Sequence, residues 1–285
     1  MQLLSYLFGM TVNEWVGKYL SIIDSSDLSD RTKQARHIYA RIFCHHFGKR
    51  RLKSLKRLEL REMYLTEREH APHRGRALLM FVKLCLKEAV IEGLIDSNPA
   101  DHIKTSRPPV VRRRLGVETF WQIYNRAPEN HYFRVAMALA IITAQRRSDL
   151  VKMRFDDVVD GYLHIRQVKT GAKVALPLTL KSPLFDISLG ELVKQCKRRN
   201  TKGFAYLLQN ERGNPVKGES LSTWFADCRG TRNKGDPSFH ELRSLAERLY
   251  RMDGLDTQTL LGHKNQSQTD EYNDLRDDGY KKLVL

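Results

Sequence analysis

The stretch from Ser238 to Tyr272 constrains the chain most, because glycines cut it into short helical units and each unit carries side chains able to act on an anion. Ser238-Phe239-His240-Glu241 has the form of a capping box, which predicts that Ser238 caps a helix and Glu241 reaches back to the cap. Leu242, Leu245, Ala246 and Leu249 recur at steps of three and four, so they form a buried stripe and leave His240 and Arg243 adjacent in the first turn. Unpaired N–H groups, the positive end of the helix dipole and the guanidinium would converge there, which suits a phosphate. Gly254 predicts the end of this helix, and Asp256 caps a shorter one through Leu260 and Leu261. Gly262 then reverses the chain and sends His263 back toward the first helix. Tyr272 falls on a last, solvent-edge helix from Ser267 to Leu275.

His-x-x-Arg recurs at His73/Arg76 and His131/Arg134, so the pair alone carries little and its surroundings carry the argument. Phe239-His240-Glu241-Leu242-Arg243, Leu260-Leu261-Gly262-His263 and the following Tyr272 resemble the C-terminal box of the tyrosine recombinases, the phage integrase family, in the pattern of lambdoid-phage integrases. Thr143-Ala144-Gln145-Arg146-Arg147-Ser148-Asp149-Leu150 resembles the family's first arginine box, in which the arginine stands three residues before an acid and four before a leucine. That spacing selects Arg146 over Arg147 and gives Asp149 the task of orienting it. The family usually has glycine where this chain has Ala144, so a positive φ there would strain the alanine. Tyr162–Ile165 and Val174–Leu176 are short β-type runs on either side of Lys169-Thr170-Gly171-Ala172-Lys173, a hairpin tip. The resemblance implies a hairpin lysine that enters the minor groove and protonates the leaving oxygen; Lys169 matches better than Lys173, and both stay open. The catalytic set it implies is Arg146, Lys169, His240, Arg243, His263 and Tyr272.

The expected fold class is mainly α with a small β-sheet. An N-terminal helical core-binding domain is expected at 1–104, a basic linker at 105–114 and an α+β catalytic domain at 115–285. Helical stripes run through Trp15, Tyr19, Ile22 and Ile23, through Ile38, Ile42 and Phe43 after a cap at Ser29 or Asp30, and through Leu52, Leu55 and Leu58. A fourth, most buried helix is expected around Leu78, Leu79, Phe81, Val82, Leu84, Leu86, Ala89 and Val90, closed by Gly93 and Asn98-Pro99. In the second domain a helix starts at Val117, an apolar one spans Val135–Ile142, and basic helices lie between Leu184 and Cys228.

Charge selects the partner. A net charge of +16 and a pI near 9.8 favour a polyanion. The cations from Arg31 to Arg57, with His73, Arg74 and Arg76, have few carboxylates between them, so they are expected to touch DNA phosphates without reading bases. Pro108-Pro109 and Arg112-Arg113-Arg114 read as a stiff basic strap against the same DNA. Cys44, Cys85, Cys196 and Cys228 lack zinc or redox spacing and are expected to be reduced, structural thiols, with no metal. Met1 to Met10 is too short to span a membrane and lacks a basic leader.

The chemistry implied by the resemblance is reversible transesterification. Tyr272 attacks a DNA phosphate, Arg146 and Arg243 hold the non-bridging oxygens, His240 and His263 move protons, and Lys169 protonates the 5′-oxygen, with no cofactor, ATP or metal. The expected function is site-specific integration or excision of a phage or prophage element in the bacterial cytoplasm. Its partners would be double-stranded DNA attachment sites, a homo-tetramer on DNA and accessory DNA-bending proteins. The competing possibilities are a type IB topoisomerase, an inactive DNA-binding remnant of an integrase and a basic scaffold. The arm-binding domain of lambdoid integrases has no counterpart ahead of Thr11, which leaves a two-domain enzyme or a truncated chain open. Leu283-Val284-Leu285 is expected to dock as an edge strand on its own domain or on a neighbouring protomer, and Tyr280 is the second candidate nucleophile.

Overall fold

A capping box opens the first helix: Thr11 Oγ1 accepts from the Glu14 N–H at 3.3 Å, and the Glu14 carboxylate accepts from the Thr11 N–H at 2.8 Å. The computed structural model describes residues 9–106, 111–200, 203–210 and 212–273. The chain divides into two units, Met1–Pro109 and Val110–Leu285.

Among the described residues the first unit holds four α-helices: α1 (Val12–Ser25), α2 (Asp30–Phe47), α3 (Arg57–His70) and α4 (Pro72–Ile91). Ser29 caps α2 by accepting from the Thr32 N–H, and Pro72 opens α4 at a position whose N–H has no intrahelical partner. The core gathers Trp15, Tyr19, Phe43, Leu60, Met63, Leu78, Leu79 and Val82, and the Trp15 indole donates to Cys85 O at 3.0 Å. Four residues expected in the stripes, Ile22, Ile38, Leu58 and Leu84, are instead 43–61% exposed. The reason is phase. Ile23, Ala40 with Phe43, Leu60 and Leu86 take the inward positions, and at 3.6 residues per turn these neighbours fall outside the buried arc.

The second unit is built on α6 (Tyr132–Thr143), which is buried at almost every position. α5 (Val117–Arg126) precedes it. After α6 the backbone turns at Ala144 and starts the one-turn α7 (Arg147–Leu150). A three-stranded antiparallel sheet follows in the order β1 (Val158–Val159), β2 (Tyr162–Arg166) and β3 (Lys173–Pro177). β1 escapes sequence patterning because it is only two residues long. In β2, Leu163 and Ile165 point inward, and Gln167 continues that alternation as a buried polar residue. Lys173 pairs with Arg166 in the ladder, so the hairpin tip is shorter than expected and of the two lysines only Lys169 lies in the turn.

α8 (Leu189–Arg199) and α10 (Glu241–Met252) pack on α6, while α9 (Gly218–Arg229) packs on α5. α11 (Thr257–Leu261) and α12 (Gln266–Asn273) complete the described part. Cys85, Cys196 and Cys228 are buried, Cys44 is half-buried, and all four are free. No helix among the described residues is long and apolar enough to cross a membrane. Tyr280 and Leu283-Val284-Leu285 lie outside the described residues, as do Pro108-Pro109 and most of Met1–Met10.

Candidate active site

α10 begins at Glu241 with His240 as its cap residue, two positions later than the Ser238 box predicts. Ser238 contributes its backbone oxygen, which accepts from the Glu241 N–H at 2.8 Å, and Phe239 O and His240 O receive the next two N–H groups. This tight first turn consumes the donors expected to face an anion. Glu241 does not close a box either, because its buried carboxylate lies 3.4 Å from Arg114 Nη1.

Arg243, in that first turn, is 2% exposed. Its Nη1 donates to Ala144 O at 2.7 Å and its Nη2 to Leu261 O at 2.8 Å, joining the ends of α6 and α11. Its Nε has no partner among the described residues. A buried, unsatisfied donor costs free energy until an acceptor arrives, so this N–H marks a place for a ligand oxygen. Burial lowers the guanidinium to about 10, which leaves it charged at neutral pH.

Gly262, at φ +62°, turns the chain as expected. An added Cβ there would lie 2.9 Å from Val174 Cγ2 and 3.0 Å from Gln167 Nε2, so close approach as well as conformation requires glycine. His263 then meets Arg243, whose Nη2 donates to His263 Nε2 at 3.1 Å. Arginine is only a donor, so Nε2 is unprotonated and Nδ1 carries the hydrogen given to Thr269 Oγ1 at 2.9 Å. Burial, then the charges of Arg243 and Arg146, lower His263 to about 4 and agree with this neutral tautomer. The Nδ1 hydrogen of His263 is thereby engaged with Thr269 in this state.

Tyr272 sits on α12 with its ring stacked on His263 at 5.6 Å and the Arg243 guanidinium 5.7 Å from its centroid. Its hydroxyl is 3.4 Å from His240 Nε2. His240 is exposed, and loss of hydration where it packs, then the charges of Arg243, Arg146, Arg112 and Lys169, lower it to about 4. In the tautomer protonated at Nδ1, a neutral His240 presents Nε2 as an acceptor to the phenol proton.

Ala144 has φ +51°, ψ +25°, the left-handed conformation that the missing glycine implied. Arg146 follows it and donates through Nη1 to Gln167 Oε1 at 2.6 Å. Asp149 does not orient Arg146: its Oδ1 accepts from the Val168 N–H at 2.8 Å, at the base of the Lys169 turn, and its Oδ2 is buried without a partner among the described residues. Its place on one-turn α7, after the arginine at the cap, points its carboxylate to the hairpin instead. Arg146, Ser148, Ser238, Phe239 and His240 line a cleft of about 400 Å³. Arg146, His240, Arg243, His263 and Tyr272 thus gather at one place, while Lys169 stays exposed on the turn, close enough for its charge to act on His240.

Residues 114–278 match the model of the phage integrase family. The integrase of enterobacteria phage P21 is 36% identical over 94% of this chain and 75% of its own length. This chain belongs to the phage integrase family. Prophage integrase IntE of Escherichia coli K12 is 42% identical over 66% of this chain, which spans 53% of it. The crystal structure of a lambda integrase (75–356) dimer bound to a COC′ core site superposes with TM-score 0.88 at 30% identity, covering 97% of this chain and all of that one. A lambda integrase tetramer bound to a Holliday junction gives TM-score 0.87 at 29% identity, over 96% and 80%.

The centre of this integrase depends on residues that motif spacing passes over. Gln167, 1% exposed, accepts from Arg146 and from Thr170 Oγ1 at 2.7 Å, and donates to Gln145 Oε1 and Leu261 O, each at 2.8 Å. Gln145 donates to Leu260 O at 2.8 Å. Two glutamines and Arg243 thereby satisfy carbonyls that the end of α11 leaves unpaired. The one signal for Gln167 in the sequence is a polar residue on the inward phase of a strand. Arg114, expected to lie against DNA, is turned inward with a 9% exposed side chain, because Glu241 and Ser244 give it buried partners.

Proposed function

We propose that this site-specific integrase cuts and rejoins DNA through Tyr272. The observation that carries the reading is the Tyr272 hydroxyl 3.4 Å from a neutral His240, with the buried Arg243 beneath the ring. In the proposed step, His240 Nε2 accepts the phenol proton as the Tyr272 oxygen attacks a backbone phosphorus. The bond from phosphorus to the 5′-oxygen breaks, a 3′-phosphotyrosine forms, and Lys169 on its exposed turn gives the 5′-oxygen a proton. The unpartnered Arg243 Nε and the half-buried Arg146 hold the non-bridging oxygens as their charge grows. His263 positions Arg243 and the Tyr272 ring. The phosphoryl bond is conserved, so the 5′-hydroxyl of another strand can reverse the step, and no hydrolysable nucleotide is needed.

The first unit, with exposed cations such as Arg31, Arg41, Lys49 and Lys53, is proposed as the core-type DNA-binding domain, and the second as the catalytic domain. The lambda integrase structures on a core site and on a Holliday junction support double-stranded attachment sites as substrate and a tetramer as the working assembly. The proposed setting is the bacterial host cytoplasm, with DNA-bending proteins as accessory partners. The test is incubation with nicked DNA carrying candidate attachment sites. A denaturation-resistant adduct is expected, and Tyr272→Phe should abolish it while leaving DNA affinity within a few-fold. An adduct that persists in the variant would move the nucleophile to another tyrosine, and equal relaxation of plasmids lacking any attachment site would favour a topoisomerase.

A further inference from the structure

Arg112-Arg113-Arg114 has the composition of a DNA-facing strap, and the structure divides it. Arg112 and Arg113 are exposed, whereas Arg114 points into the second unit. Its Nη1 donates to Ser244 Oγ at 2.7 Å and lies 3.4 Å from the Glu241 carboxylate; its Nη2 donates to Glu271 O. Ser244 Oγ, which also accepts from Arg248 Nη1 at 2.9 Å, donates in turn to Tyr272 O at 3.3 Å.

Glu271 and Tyr272 lie near the end of the described part of α12, and their carbonyls accept from Arg114 and Ser244 of the same unit. α12 has little apolar surface with which to anchor itself: Thr269 is buried, Tyr272 is half-buried, and Gln266 to Gln268, Asp270 and Glu271 are exposed. Its position on α10 therefore leans on polar contacts, among which Arg114 holds the Glu271 carbonyl and Ser244 the Tyr272 carbonyl, the backbone of the residue carrying the phenol and of its neighbour.

We infer that Arg114 is a positioning residue for Tyr272: it holds α12 at Glu271 and Tyr272 against α10, so that the phenol stays beside His240, and it serves the reaction in this way instead of by contacting DNA. The inference rests on Tyr272 as the nucleophile. A displacement of about 1 Å in a reacting group can cost about 10²-fold in rate, so release of this contact should be felt in cleavage and not in binding.

Arg114→Ala and Arg114→Lys test it in the full chain by two measurements. Without DNA, amide hydrogen exchange in residues 266–273 should quicken in Arg114→Ala, stay near the parent rate in the other helices of the unit, and be partly restored in Arg114→Lys. On nicked DNA, single-turnover adduct formation should fall roughly 10- to 100-fold in Arg114→Ala, with affinity within about 3-fold and an unchanged salt dependence, and Arg114→Lys should recover part of the rate. Ser244→Ala, which removes the other half of the latch, should add little to Arg114→Ala. Unchanged exchange in 266–273 would overturn the inference, as would faster exchange throughout the unit, which would make Arg114 a general structural prop. Weakened binding with a salt slope shallower by about 0.9 would also overturn it, by making Arg114 a phosphate contact. Should the parent protein form no adduct, the nucleophile assignment fails, and exchange in 266–273 still decides whether Arg114 holds α12.

Discussion

Arg146 and Gln167 are joined by a 2.6 Å hydrogen bond that ties the start of α7 to the root of the β2–β3 hairpin. Through the other end of its amide, Gln167 reaches Leu261 O, which also accepts from Arg243. The two arginines proposed to hold the phosphate are thus spaced by one buried glutamine. Gln167→Leu, which keeps the volume and removes the hydrogen bonds, should lower the cleavage rate by about 10-fold or more by freeing Arg146 and leaving buried partners unpaired. A single-turnover rate equal to that of the parent would show that Arg146 needs no such support.

The arginines should separate rate from stability. Arg146→Ala and Arg243→Ala should each lower cleavage by about 10²–10³. Only Arg243 is fully buried with bonds to Ala144 O and Leu261 O, so its loss should also destabilise the fold by about 2–4 kcal/mol, while Arg146→Ala should stay within about 1 kcal/mol. Denaturant melts alongside the cleavage assay check this, and equal stability loss in both variants would contradict it.

Ala144 tests the αL turn. Glycine would relieve about 1–2 kcal/mol of left-handed strain, but it gives up a buried methyl of about 0.8 kcal/mol and adds freedom to the unfolded chain. These effects nearly cancel, so Ala144→Gly should change stability by less than about 1 kcal/mol. Ala144→Val, branched at Cβ and buried at positive φ, should destabilise strongly, and a neutral valine in thermal unfolding would argue against the left-handed turn.

His240 and His263 set an acid limit. Both are lowered from 6.5 to about 4 in the folded protein, so between these values the unfolded chain binds more protons than the native one. Their contribution to stability is fully present above about pH 6.5 and is lost as the pH falls toward 4. Melting temperature should therefore decline across that window, and His263→Asn should flatten part of the decline. An identical profile in the variant would exclude His263 as a source.

Salt dependence reports the basic first unit. If its exposed cations contact phosphates, log affinity should fall with log salt at about −0.9 per contact, and each Lys→Ala at a contact should shallow the slope by that amount without changing site preference. A flat slope would place the charge away from the DNA.

The sequence by itself determined the elements and the order of the chemistry. Asp256, Gly254 and Gly262 fix α11 and its flanking turns by local backbone rules, the alternation in Tyr162–Ile165 fixes a strand, and the order of Arg146, His240, Arg243, His263 and Tyr272 carries the family resemblance. The hydrogen-bond partners were decided only by the tertiary structure. Ser238 looks like a side-chain cap, yet the turn closes on its carbonyl; Asp149 has the spacing to orient Arg146, yet it holds the hairpin and Gln167 holds the arginine; Arg114 has the composition of a DNA contact, yet it ends under α12. Caps and stripes depend on neighbours within a turn or two and so are written locally. Which buried donor meets which acceptor depends on segments far apart in the chain, 130 residues between Arg114 and Ser244, and is settled when burial leaves few partners within reach of each polar group.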